Sequence, residues 1–122
     1  MPSTKPPAAA PPDLDLLQGT LDVMILKALS WGPMHGFGVA GWIRRTTKDV
    51  LQIEDSALYP ALHRMEHRGL IDADWALTEN KRRAKYYTLT AKGRQQLRVR
   101  VSSWDRYASA VSRVIHATVQ PS

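Results

Sequence analysis

Apolar residues return every three or four positions over much of this chain, and those stretches predict its helices. Leu17, Leu21, Ile25 and Leu29 recur at four-residue spacing, with Asp13 or Asp15 as a cap and Gly32 and Pro33 as the stop. A second helix is expected over "HGFGVAGWIRRTT", with Phe37, Ala40, Ile43 and Trp42 turned inward despite the cost of Gly38 and Gly41. Leu58, Leu62 and Met65 mark a third helix, capped by Asp55 or Ser56 and stopped by Gly69. The period then changes to two. Ile71, Ala73, Trp75 and Leu77 alternate with other residues as in a half-buried strand, "TENKRRA" is a polar turn, and "KYYTLT" is a second strand with Tyr87 and Leu89 on one face. Thr90 caps a last helix whose Leu97, Val101, Trp104, Ala108, Val111 and Ile115 fall at alternating steps of four and three, a heptad-like seam about five turns long.

Residues 1–12, "MPSTKPPAAAPP", carry five prolines and no apolar period, so they read as a leader outside the fold. The remainder suits one compact body, 13–90, followed by the long helix over 91–119. No other part of the body is large enough to cover that seam, so the last helix is expected to pair with a second copy, making a homodimer. Docking onto helix one within the same chain is the alternative.

Charge sharpens the picture. The chain carries a net +6, and between Glu79 and Arg106 nine basic residues face only two acidic ones. Such a block fits a polyanionic partner or a merely solvated face. There are no cysteines, no apolar run long enough to span a membrane and no secretion signal, which together predict a soluble cytoplasmic protein.

Pro60 sits inside the third helix, where proline normally removes a backbone bond and clashes with the preceding turn. With the helix starting at Asp55 or Ser56, it lies just past the first turn and at most one bond is lost. At about 100° per residue, Ser56, Pro60, His63 and His67 then share the face opposite the apolar stripe, with Tyr59 and Arg64 on the flanks. A helix with that face can enter a DNA major groove N-terminus first: hydroxyl, imidazole and guanidinium groups reach base edges, and Pro60 adds little bulk. Three helices followed by a hairpin with a basic tip are in the order of a winged helix-turn-helix, an α+β fold that is mainly α. In it Lys81, Arg82, Arg83 and Lys85 would contact backbone phosphate or the minor groove.

Three segments carry a resemblance in one order and spacing: "LLQGTLDVMILKALSWGPMHGFGVAGWI", "SALYPALHRMEHRGLI" and "ENKRRAKYYTLTAKGRQQL". Over about residues 16–97 the chain resembles PadR-type transcriptional regulators, in their short branch. The resemblance implies a DNA-binding repressor whose last helix makes the homodimer and whose operator affinity a small molecule relaxes. It also implies that Gly19 and Thr20 approach phosphate, and that Trp104 lines a cavity for flat aromatic effectors; a tryptophan that only fills the interface is the other reading. Two-fold symmetry would make the operator an inverted repeat. The chain departs from the family pattern at Lys81, where a wing-tip glycine is usual, and at Phe37 and Gly38, where tyrosine and glutamate are frequent.

Two rivals follow from the same residues. "HRMEH", residues 63–67, matches the inverted zinc-peptidase motif, but a catalytic zinc needs a third protein ligand and His35 and His116 lie in unrelated contexts. No nucleophile with a base partner and no phosphate loop appears, so no enzyme, metal or cofactor is expected. A winged-helix module that binds an acidic protein instead of DNA is the remaining alternative.

Overall fold

In a computed structural model, described here for residues 14–121 with side chains from Gly19 onward, the elements follow the order α1 (Leu14–Leu29), β1 (Met34–His35), α2 (Gly36–Thr46), α3 (Asp55–His67), β2 (Ile71–Leu77), β3 (Arg83–Leu89) and α4 (Ala91–Ile115). The leader, Asp13 and the side chains of Asp15 and Leu17 lie outside what is described. The strands form one antiparallel sheet in the order β1-β3-β2. The two-residue β1 was not expected; it exists as an edge partner of β3, with Met34 opposite Tyr87 and His35 opposite Tyr86.

Helix α1 is the centre of the core. Leu21, Ile25 and Leu29 are buried as their spacing requires, and so are Leu26 and Ala28, because α2, α3, β3 and α4 all pack around this one helix. Helix α2 starts on His35, whose Nδ1 accepts from the N–H of Gly38 at 2.9 Å. Val39 and Ile43, one turn apart, are its buried pair, with Ala40 and Trp42 partly covered. Phe37 is a correction: two residues before Val39 it points the opposite way, and it is 78% exposed.

Helix α3 buries Leu58, Ala61, Leu62 and Met65. Its cap is Glu54, whose carbonyl accepts from Ala57 and Leu58 at 2.9 Å; neither Asp55 nor Ser56 caps it, and no side-chain bond is made there. Pro60 is thus the sixth helical residue and forgoes one bond, to the carbonyl of the exposed Ser56. Gly69, at φ +76°, closes the helix: its N–H donates to Glu66 and that of Leu70 to Met65, the paired bonds of a Schellman motif.

The hairpin runs from Ile71 opposite Leu89 to Leu77 opposite Arg83. Tyr87 and Leu89 are buried, as expected, but the β2 alternation is not one of half-burial: Ile71 is buried whereas Trp75 and Leu77 are 59% and 65% exposed. The outer half of the hairpin projects beyond the core, which leaves these two side chains largely uncovered. Strand β3 also starts two residues earlier than its apolar pattern, at Arg83.

Thr90 caps α4. Its Oγ1 accepts from the N–H of Gly93 at 2.9 Å and donates toward the carbonyls of Gly69 and Leu70, at 2.8 and 3.0 Å. The 25 residues of α4 make a rod about 37 Å long. Leu97 packs against the core, but beyond it the apolar seam faces outward.

Candidate nucleic-acid interface

The outward face of α3 presents Ser56, Tyr59, Pro60, His63 and His67, all exposed. The ring of Tyr59 lies over the backbone of Gly36, so close that a Cβ there would come within 2.7 Å of its Cε1. The first turns of α2 and α3 are therefore in contact through one aromatic ring, which leaves the phenol end of Tyr59 at the mouth of a cleft.

That cleft, about 1100 Å³, is walled by α2 along its length, the start of α3 and the hairpin. Its cationic lining comprises Arg44, Arg45, Arg82, Arg83 and Lys85, against Asp55 and Glu79. Arg44 and Arg45 were not picked out from the sequence, although a basic doublet in the last turn of α2 was visible there. Arg44 reaches Asp49 at 3.7 Å in an exposed pair. Lys85 is bridged to Glu66 at 3.3 Å, and Arg83 lies over the Trp75 ring at 5.0 Å. Burial holds the Tyr87 phenol above its usual range, opposed by the nearby Lys85 ammonium and reinforced by Glu66 and Tyr59.

At the tip, the N–H of Thr78 donates to Arg82 at 2.8 Å and that of Lys81 to Thr78 at 2.9 Å, so a tight turn forms without the glycine. Lys81 itself takes the left-handed conformation, φ +62°, that glycine would favour. The ammonium of Lys81 and the guanidinium of Arg82 have no acidic partner among the described residues.

Three of the residues singled out in the sequence lie elsewhere. Arg64, placed on the flank of the reading face, turns back into the protein, where its Nη2 meets the buried carboxylate of Asp22 at Oδ1, 2.9 Å away. Gly19 and Thr20, in the middle of α1, line a separate groove of about 450 Å³ between α1 and α4. Trp104 lines the same groove, with Val23, Arg100, Ser103 and Tyr107. His63 and His67 gain no further ligand: among the described residues no three His, Asp or Glu side chains are grouped as a metal site.

The same fold is found in known proteins. The sequence profile of the Transcriptional regulator PadR-like family matches residues 25–99. The chain belongs to the PadR-like family. A transcriptional regulator from Clostridium thermocellum has 28% identity, 87% of this chain aligned with 99% of that one, and a TM-score of 0.71. A PadR family transcriptional regulator from Eggerthella lenta is also 28% identical, over 86% of this chain and 89% of its own, with a TM-score of 0.71. An uncharacterized protein from Lysinibacillus sphaericus is 28% identical over 90 residues, 74% of this chain and 83% of that protein. The chain is thus a transcriptional regulator of the PadR-like family, with the DNA-binding winged-helix fold. No helix among the described residues is long and apolar enough to cross a membrane.

Proposed function

We propose that this PadR-like regulator is a homodimeric repressor that acts in the cytoplasm on an inverted-repeat operator, with half-sites about one DNA turn, roughly 34 Å, apart. The observation that carries the reading is the cleft itself: Tyr59, on the exposed face of α3, lines it together with Arg82 and Arg83 of the hairpin and Arg44 and Arg45 of α2. In this reading Ser56, Tyr59 and His63 meet base edges, with Pro60 against a thymine methyl. Lys81, Arg82 and Arg83 meet phosphate or the minor groove, joined by Lys85 once it leaves Glu66 and by Arg44 and Arg45 from α2. Arg64 is held by Asp22 and acts through α3, not at the DNA.

The dimer rests on α4, where Val101, Trp104, Val111 and Ile115 form an exposed apolar ridge continuous with Leu97 in the core. Gly19 and Thr20, beside Trp104, belong in this reading to the α1–α4 groove that a small aromatic effector would enter to release the operator.

The test is binding to duplex DNA over a range of salt. Each phosphate contact contributes about 0.9 to the slope of log affinity against log salt, so Arg82→Ala with Arg83→Ala should lower that slope by about 1.8. Tyr59→Ala or His63→Ala should instead change which sequences are selected from a random pool. A flat salt dependence of the unmodified protein would favour the alternative, a module for acidic protein partners.

A further inference from the structure

Asp22 is the buried charged side chain of the described residues, 5% exposed, and it is held from two sides. On one side, Oδ1 takes the 2.9 Å bond from Arg64 of α3; on the other, Oδ2 faces Arg100 Nη1 of α4 at 3.6 Å. Arg100 has a second position to satisfy. It walls the α1–α4 groove beside Trp104 and Tyr107, and its Nε reaches Gln96 Oε1 at 3.5 Å. One carboxylate on α1 thus joins a side chain of the groove wall to a side chain of the reading helix.

A carboxylate in a low-dielectric interior is oriented by its cations, and neither cation is indifferent to the other. With both present, each oxygen has its own guanidinium. When Arg100 is drawn away, the whole charge falls to Arg64 and the carboxylate is free to turn toward it. Arg64 directly follows the exposed His63, and it lies five residues after Tyr59 on the same helix. A change in the pull on Arg64 is therefore a torque on α3 about its axis, and close-packed interiors answer such changes by moving between discrete arrangements.

We propose that Asp22 is a positioning residue that fixes the setting of α3 through Arg64 and ties that setting to the state of Arg100 in the α1–α4 groove. The inference rests on the DNA-binding reading above and adds to it a physical route between two sites that share no lining residue. Because coupling free energy is reciprocal, DNA that alters the setting of α3 alters the groove to the same degree.

The experiment uses the full chain. A duplex selected from a random pool by the unmodified protein, and a scrambled duplex of the same length, are titrated at fixed ionic strength with the parent, Arg100→Gln, Arg100→Lys, Asp22→Asn and the double variant Asp22→Asn with Arg100→Gln. Arg100→Gln should reduce the ratio of selected to scrambled affinity by about five-fold or more, within the range of ordinary couplings. Affinity for the scrambled duplex and its salt slope should stay unchanged, Arg100→Lys should restore the ratio, and in the Asp22→Asn background Arg100→Gln should add nothing. Hydrogen exchange of the α3 amides should quicken in Arg100→Gln without DNA present. An undiminished ratio, equal losses on both duplexes, or losses that add in the double variant would overturn the coupling and leave the DNA reading intact. Should Asp22→Asn not fold, the two Arg100 variants and the exchange measurement decide alone. A parent protein that does not distinguish the two duplexes would overturn both the reading and the inference.

Discussion

The ring of Tyr59 occupies the space where a side chain at position 36 would begin. Gly36→Ala would bring a Cβ within 2.7 Å of Cε1, and the half-exposed ring is free to swing aside. Alanine is also the better helix former, so the stability of the fold should change by less than about 1 kcal/mol. Sequence preference should change, because Tyr59 leaves its place at the mouth of the cleft. Urea denaturation alongside selection from a random duplex pool would separate the two effects; a stable variant with unaltered preference would remove Tyr59 from the reading face.

Gly93 presents the opposite case. A Cβ there would collide with the backbone carbonyl of Leu70 and with Leu89 Cδ1 at 2.8 Å. The carbonyl cannot move without breaking its bonds to Thr90, so Gly93→Ala should destabilise the fold by about 1–3 kcal/mol. A lowered urea midpoint with an unchanged denaturant slope is the expected signature.

Tyr87 gives the protein a pH dependence at the alkaline end. Its folded phenol is held above the ordinary value of 10.0, mainly by burial, so the folded state keeps this proton more tightly than the unfolded chain does. The contribution to stability is whole below pH 10 and is lost as pH rises through the higher folded value. Denaturation midpoints measured from about pH 9 to 11 should therefore fall more steeply for the parent than for Tyr87→Phe. Parallel curves would mean that the ring is not under this strain.

The ridge on α4 predicts an assembly. Val101→Asp with Val111→Asp places two charges on the exposed seam, at positions 39% exposed in the single chain, and touches nothing in the core. Sedimentation should show half the mass of the parent, with helical content retained. A parent that already sediments as one subunit would refute the seam as an interface.

What the sequence revealed is what is determined locally. The stripe Leu58, Leu62, Met65, the Gly69 stop and the Thr90 cap each depend on residues within one or two turns, and all are found in the structure. The direction of Phe37 is not legible in the sequence because several apolar residues share α2 and the glycines among them leave its core face ambiguous; packing against α1, α3 and the sheet selects Val39 and Ile43. Trp75 and Leu77 keep the alternation of a covered strand in a part of the hairpin that lies beyond the core. Arg64 is the deepest miss, since its partner lies 42 positions away and is set only when α1 crosses α3. The cleft residues Arg44 and Arg45 became meaningful once the hairpin was seen opposite them.

The hairpin is anchored at its base: Ile71 pairs with Leu89, the N–H of Thr90 returns to Leu70 at 3.1 Å, Lys85 bridges to Glu66 of α3, and beyond that bridge Leu77 and the tip reach past the core. Its reach can consequently be altered without disturbing what it is attached to. Adding or deleting one residue from each strand changes the span by about 3.3 Å, and keeping such changes in steps of two preserves which side chains face which way. A hairpin of this build can thus be graduated like the arm of a gauge, its cations carried nearer or farther, on an unaltered foundation.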